Sequence, residues 1–400
     1  MGLRLLVGWA LVATLSACRS IDIEPAGGGG ATAGGGSPPA GAGGSGGTPS
    51  EGGNGGNGGA APTCELCGNE CVDLASDENN CGVCGETCLV GCDDGACTIS
   101  NGGGVRNVAF EQGYLYWIQV NAVWRSFHAT SAPTSKSVTE NQFYYDLAVE
   151  NERAYLTYVG GPPRTLDFTN GVEETAVCPN GVDCNGAQVQ PLTTFGLDGV
   201  AWTSNTGAYL GSPHLAEVQP FSPGVSFAIG TTKDSDQYAW GTQTTVEFFP
   251  ASPALTGLTR PLALAFAGTT LFVSEQSEPP AVNRISCSAQ PWQSSQLLID
   301  VVGALWLEAT DDELFAAVNP PAPAPSQVLR MPASCDGPLD PADVMVIAEP
   351  PAPCKIGGIA LDETGDRVYW SQYADANGSE CSGVFSRHLS APTLGTLADP

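Results

Sequence analysis

The chain has 400 residues, of which 42 are acidic, 14 are Lys or Arg and 3 are His, so its formal net charge is −28 at pH 7. A surface this acidic repels phosphate backbones and anionic headgroups, which excludes nucleic acids and anionic lipid surfaces as expected partners. Cations and basic partners remain compatible with the charge.

The N-terminus has the pattern of an export signal. Arg4 supplies a positive charge, residues 5–13 form an apolar run too short to span a bilayer as a mature helix, and LSAC follows at residues 15–18. LSAC resembles the lipobox of bacterial lipoproteins, which implies that residues 1–17 are removed and that Cys18 becomes a lipidated N-terminus. An ordinary signal peptide followed by a chance cysteine is the alternative.

The lipobox resemblance implies an exported protein that is lipid-anchored to a bacterial membrane, at the outer membrane or cell surface. Several acyl chains on Cys18 would hold it stably, since durable anchoring needs more than one chain. No other apolar run of about 18 residues follows, so the predicted membrane contact is through lipid only. Residues 18–63 are rich in Gly and Pro and predict a flexible tether, because residues 25–62 offer no large apolar side chain to offset the entropy of ordering.

Residues 64–98 contain two C-x-x-C pairs with nearly the spacing of a zinc site, so zinc binding, redox chemistry and disulfides are all to be considered. The segment has eight cysteines: Cys64, Cys67, Cys71, Cys81, Cys84, Cys88, Cys92 and Cys97. Disulfides persist in the oxidising compartments that exported chains reach, and four zinc ligands would leave four thiols unexplained. We therefore expect a fully disulfide-bonded module whose pairing the sequence leaves open.

The run CGNECVDLASDENNCGVCGETC resembles the stigma-specific-protein-like cysteine-rich repeat. The resemblance implies an extracellular disulfide module and implies no enzymatic activity. The segment also carries eight acidic residues and no Lys or Arg. Calcium binding is therefore an option, since hard cations take oxygen ligands, and a solvated acidic face is the simpler interpretation; no other cofactor is expected.

Residues 101–400 consist of short alternating apolar runs broken by Gly, Pro, Asn and Asp, which predict an all-β domain. A phrase of one aliphatic strand, a turn and one aromatic-rich strand recurs at Val108, Leu147, Phe195, Phe227, Leu262, Leu305 and Ile359. The intervals average about 42 residues, the length of a four-stranded propeller blade. We predict a seven-bladed β-propeller; a six-bladed ring with one degenerate repeat and a β-sandwich array are the alternatives.

The phrases IALDETGDRVYWSQ and VNRIS resemble the YWTD and related bacterial lyase-type propeller repeats, which implies the same fold. The strand order also predicts disulfides, because a bridge requires its two cysteines to lie on one face of the propeller. The expected pairs are Cys287–Cys335, in or near loops after third strands, and Cys354–Cys381, on the opposite face. Cys178 and Cys184 share one short loop and are expected to pair.

Several residue types recur at fixed positions of the repeat. An acid ends the first strand at Glu111, Glu150, Asp198, Glu308 and Asp362. These carboxylates are weak candidates for a cation site around the channel, and the alternative is that each accepts a hydrogen bond from its own turn.

Arginines recur on the third strand at Arg125, Arg284, Arg330 and, one residue later, Arg387, where we expect structural pairing between strands. Trp117, Trp202, Trp240 and Trp370 are suited either to stacking on sugars at a rim or to packing within blades.

These features favour a surface-anchored, non-catalytic binding or scaffold protein, with a signal at 1–17, a tether at 18–63, a cysteine-rich module at 64–98 and a propeller at 101–400. Its ligand would be a polysaccharide, a peptide or a protein. The alternative is a metal-assisted hydrolase or lyase acting at the central mouth of the propeller.

Overall fold

The structure is a computed structural model of the chain. It describes residues 64–68, 70–127, 131–138, 144–158, 161–178, 192–194, 200–204, 207–212, 214–223, 228–231, 238–249, 254–276, 283–290, 292, 294–362, 366–374 and 381–396. These residues belong to one compact unit, Ala60–Pro400. Among them, no helix has both the length and the apolar character needed to cross a membrane. Cys18 and the predicted signal and tether lie outside the described residues.

The chain begins, in its described part, with four short strands. They are β1 (Glu65–Cys67), β2 (Glu70–Val72), β3 (Gly91–Asp93) and β4 (Ala96–Ser100). Strands β1 and β2 pair only with each other.

Seven sheets follow, each with three or four consecutive antiparallel strands at its centre, and two of them gain strands from elsewhere in the chain. Blade I has β5 (Val105–Glu111), β6 (Tyr114–Gln119), β7 (Ala122–Phe127) and β8 (Thr134–Ser137). Blade II has β9 (Tyr144–Glu150), β10 (Arg153–Tyr158), β11 (Arg164–Asp167) and β12 (Glu173–Thr175). Blade III has β13 (Leu192–Thr194), β14 (Val200–Ser204), β15 (Gly207–Gly211) and β16 (Val218–Pro223). Blade IV has β17 (Ala228–Thr231), β18 (Tyr238–Gly241), β19 (Thr245–Phe249) and β20 (Leu255–Thr256).

The last three blades complete the ring. Blade V has β21 (Pro261–Ala267), β22 (Thr270–Gln276), β23 (Asn283–Ala289) and β24 (Gln296–Val301). Blade VI has β25 (Ala304–Ala309), β26 (Glu313–Val318), β27 (Gln327–Pro332) and β28 (Met345–Ala348), with a single 3-10 turn at Pro341–Asp343. Blade VII has β29 (Cys354–Asp362), β30 (Arg367–Ala374) and β31 (Gly383–His388), and β32 (Gly395–Thr396) ends the described chain.

The first strands of successive blades contact one another around a closed ring, so they line the centre of a seven-bladed β-propeller. The seven predicted repeats correspond to the seven blades, and the six-bladed and sandwich alternatives are wrong. Local sequence explains the hairpins: in blade I the two turn residues Gln112 and Gly113 both have positive φ (49° and 81°). This is the turn geometry that matches the twist of paired strands.

The blades are filled by aromatic pairs that stack directly across the second and third strands. Trp117 stacks on Trp124 with ring centroids 6.2 Å apart, and Trp370 stacks on Phe385 at 5.8 Å. The four tryptophans considered as sugar-stacking residues (Trp117, Trp202, Trp240 and Trp370) are 0, 0, 5 and 2 % exposed. They form blade cores, and stacking on a ligand at the rim is excluded for them.

The ring is closed by a strand from the N-terminal segment. Strand β4 pairs antiparallel with β31, placing Thr98 opposite Phe385 and Ser100 opposite Val384, and β3 pairs with β4. The C-terminal β32 in turn pairs with β28 of blade VI. The segment expected to be a separate module at 64–98 therefore supplies the outer strands of blade VII.

The structure contains six disulfides with both partners described. They are Cys64–Cys71, Cys67–Cys84, Cys81–Cys92, Cys88–Cys97, Cys287–Cys335 and Cys354–Cys381. The last two are the pairs expected from the strand order, although Cys287 lies inside β23 and not in the loop after it. Cys178 is also disulfide-bonded; its expected partner, Cys184, lies outside the described residues.

Candidate functional site

Among the described residues, the acids that end the first strands do not assemble into a shared group of potential metal ligands. Glu111 accepts a hydrogen bond from the backbone N–H of Asn151 at 2.7 Å, in the first turn of blade II. Burial raises the pKa of Glu111 above its usual value, although the backbone bonds from Asn151 and Glu152 oppose that rise. The expectation that each acid bonds to its own turn is therefore wrong for Glu111, whose carboxylate joins two blades.

The other recurrent acids differ from one another in exposure. Glu150 is partly exposed, Glu308 is exposed and Asp362 is buried, while Asp198 lies outside the described residues. Within the described ranges, the only three potential metal-ligating groups close enough to share an ion are Cys81, Cys88 and Cys97. Since those sulfurs are committed to disulfides, the structure assembles no cation site from the recurrent carboxylates it describes.

The recurrent arginines mostly hold blades together. The Arg125 guanidinium contacts the Glu152 carboxylate of blade II at 3.3 Å and lies 4.8 Å from the ring centroid of Phe168 in the same blade. Arg330 donates to Glu313 at 2.7 Å and to the carbonyl of Leu389 at 2.7 Å.

The other two recurrent arginines differ from each other. Arg284 lies 4.0 Å from Asp300 within its own blade, with both side chains about half exposed. Arg387 is buried and donates to the backbone carbonyls of Asp94 and Ile347 at 3.0 and 3.1 Å, and burial lowers its pKa. The recurrent arginines therefore pair strands, as expected, and Arg387 joins three separate parts of the chain.

The inner strands carry a feature that the sequence did not reveal. In five blades the register between first and second strands shifts by one residue near the start of the first strand, which is a β-bulge. The extra residue is Tyr145, Leu262, Leu305 or Gly357 in four of these bulges, and in blade I both Arg106 and Asn107 lie opposite one residue of the second strand. The residues at these bulges differ in size, charge and polarity, so no sequence pattern predicts the bulges. All five lie at the face of the ring where first strands begin and second strands end, which we call the mouth face.

Blades VII and I approach each other closely where the bulges of their first strands meet. A Cβ at Gly357 would overlap the carbonyl oxygen of Arg106, and one at Gly358 would overlap the amide oxygen of Asn107. The Ser371 hydroxyl donates to the same Arg106 carbonyl at 3.2 Å. Two glycines in succession therefore allow the backbone of blade I to rest on blade VII, which fixes the position of Arg106.

Three side chains form a cluster at this junction, and we call Arg106, Tyr373 and Lys355 the mouth cluster. The Arg106 guanidinium lies over the Tyr373 ring, 5.1 Å from its centroid. Lys355 is directly opposite Tyr373 in the β29–β30 pair, and its Nζ donates to the carbonyl of Pro320 at 2.7 Å. All three side chains are partly exposed.

The loop that carries Pro320 is itself held in place. The Asn319 side chain donates to the carbonyl of Ile356 at 2.7 Å and accepts from its N–H at 2.8 Å. The hydroxyl of Ser326, at the other end of this loop, donates to the carbonyl of Cys354 at 2.9 Å. Lys355 is therefore oriented by a loop from blade VI that is fixed at both ends.

Comparison with known proteins supports the fold alone. Neither a protein-family model nor a curated protein matches the sequence. Among solved structures, the chain is similar to U3-55K (TM-score 0.52, 6% identity, covering 70% of this chain and 95% of that one). It is also similar to PorZ, a bacterial surface component of the type-IX secretion system of Porphyromonas gingivalis (TM-score 0.53, 12% identity, 76% of this chain and 39% of that one). A third similar structure is YCF48 bound to D1 peptide (TM-score 0.52, 10% identity, 74% and 96%).

Proposed function

We propose that this protein is a non-catalytic binding or scaffold module whose ligand docks on the mouth face of the propeller. The observation that carries the proposal is the mouth cluster, where Arg106 and Lys355 are held in fixed positions and remain partly exposed. By contrast, recurrent polar residues such as Glu111 and Arg125 are engaged in contacts between blades. Structural neighbours that include a bacterial surface component and a peptide-bound propeller are compatible with this role.

The test is an unbiased ligand search with the purified protein on glycan and peptide arrays. We expect a ligand that is retained and recovered intact, because the proposal assigns no reaction to the mouth. The matched control is the same protein carrying Gly358→Leu, whose side chain would overlap Asn107 and disturb the mouth. Cleavage of the retained ligand, with or without added divalent cations, would favour the hydrolase or lyase alternative and contradict the proposal.

We also propose that Cys18 anchors the protein to a bacterial membrane through lipid, a proposal that rests on the sequence alone. Acyl chains on the N-terminus would place the protein in the membrane fraction. A Cys18→Ser variant should then move to the soluble exported fraction, whereas retention of the variant in the membrane fraction would refute lipidation.

A further inference from the structure

The mouth cluster stands out in a protein with three times as many acids as bases. Six described arginines have a carboxylate within 4.0 Å: Arg125, Arg153, Arg164, Arg284, Arg330 and Arg367. Among the residues that the structure describes, Arg106 and Lys355 have no carboxylate within that distance. Arg260 lies on the same face, directly before β21, and donates to the side chain of Gln276 at 2.8 Å.

Both cations of the mouth cluster keep donors for a ligand. A guanidinium has five N–H donors, and stacking of Arg106 on the Tyr373 ring uses none of them. An ammonium has three donors, of which Lys355 gives one to Pro320. Since the ring, the bulge and the Pro320 loop already fix these groups, a ligand would meet an ordered pair of cations and would not bear the entropy of ordering them.

The chemistry of the pair selects the ligand. A guanidinium binds a carboxylate with two parallel hydrogen bonds, and a nearby ammonium adds a point charge. One face of the Tyr373 ring is covered by Arg106, which makes the ring a poor platform for a neutral sugar. We propose that the mouth cluster binds the carboxylates of an acidic peptide segment. This inference rests on the proposed binding function and names the ligand class for it.

The test is fluorescence anisotropy of a labelled peptide in which Asp and Glu alternate with Gly. The comparison peptide replaces each carboxylate by the corresponding Asn or Gln amide. Arg106→Gln and Lys355→Gln should each weaken binding of the acidic peptide by at least about tenfold, as expected for a lost hydrogen bond between charged groups. Lys136→Gln is the matched control, because Lys136 is a cation on the outer strand β8 of blade I.

A second variant separates the cluster from general charge effects. Tyr373→Leu removes the ring under Arg106 without changing any charge and should weaken binding. Thermal melting verifies that each variant is folded; substitution of the Arg106 side chain leaves its backbone bond to Ser371 in place. Binding that Tyr373→Leu leaves unchanged would contradict a role for the stacked geometry.

Three outcomes would overturn the inference. The acidic and amide peptides could bind equally well, Lys136→Gln could weaken binding as much as Arg106→Gln, or an oligouronate could bind at the cluster while the acidic peptide does not. A ligand found on the arrays whose binding is unaffected by the mouth variants would also overturn the inference, yet it would leave the proposed binding function intact. Absence of any ligand would instead contradict the proposed function itself.

Discussion

The cysteine-rich segment and the blades reach a stable structure by different means. Between residues 64 and 97 the chain relies on four disulfides, and the described residues up to 95 bury no aliphatic or aromatic side chain. The blades instead bury large side chains, such as Tyr369 and Trp370, in hydrophobic clusters shared by adjacent sheets. A small segment needs covalent links where an apolar core is too small to suffice.

The cysteine-rich segment is also stabilised by contacts with the propeller. The Glu86 carboxylate forms a two-pronged ion pair with the guanidinium of Arg367 on β30. Arg387 on β31 donates to the carbonyl of Asp94, and β4 completes the sheet of blade VII. The dependence is mutual, because without β4 the third strand of that blade would be an open edge. The two regions differ in how they are held and share one sheet.

The largest effect on folding should come from removing the cysteine-rich segment from the propeller. A chain that starts at residue 101 lacks β3 and β4, so β31 becomes an unpaired edge and the buried Ile99 side chain is lost from its cluster. We expect this chain to aggregate or to elute as an expanded species in size-exclusion chromatography. A chain that starts at residue 64 is the control and should remain compact. A monomeric, cooperatively melting 101–400 chain would show that the propeller closes without the segment.

A core substitution tests the blade side of the comparison. Trp370→Ala removes a side chain that is 2 % exposed and stacked on Phe385, and should lower the free energy of unfolding by about 3–5 kcal/mol. Val177→Ala, at a position 66 % exposed, should change it by no more than about 0.5 kcal/mol. Urea unfolding measures both. Equal effects would mean that the aromatic pair does not carry the core of the blade.

The different kinds of contact explain what the sequence could predict. The blade repeats were predictable because each hairpin is local and its turn residues and alternating side chains recur. The pairs Cys287–Cys335 and Cys354–Cys381 followed from the strand order, since loop parity needs no distances. Pairing of β4 with β31 was not predictable, because it joins residues near the two ends of the propeller and gives no periodic signal.

The mouth cluster was equally hidden in the sequence. Its cations lie about 250 residues apart, and Arg106 owes its position to a bulge and to the missing side chain of Gly357. The recurrent Glu111 was recognised as a repeat residue, but its partner in the next blade depends on how neighbouring sheets stack. Repetition therefore revealed which positions matter to the blade and not which atoms they contact.

Arg387 tests the junction between the two regions. Arg387→Met removes the donors to Asp94, Ile347 and Pro392, and should lower the free energy of unfolding by about 1.5–3 kcal/mol, the range for a single hydrogen bond to a charged group. Arg387→Lys keeps a charged donor and should fall between the wild type and Arg387→Met in urea unfolding. If the Met variant is as stable as the wild type, the buried guanidinium does not hold the junction.

The smallest effect concerns the junction of blades I and II, where the half-buried Glu111 carboxylate accepts from the backbone of blade II. Because burial raises the pKa of Glu111 above its usual 4.5, the folded protein binds this proton more tightly than the unfolded chain does. The stability from that proton is fully present below pH 4.5 and is lost as pH rises through the higher folded pKa. Glu111→Gln keeps an oxygen to accept from Asn151 and cannot ionise. Relative to this variant, wild-type stability in urea unfolding should therefore fall between about pH 4.5 and neutral pH.

Glu70→Gln, on the exposed strand β2, controls for the substitution itself. A wild-type curve that stays parallel to the Glu111→Gln curve from pH 4 to 7 would mean that burial does not penalise the charged Glu111 at this junction.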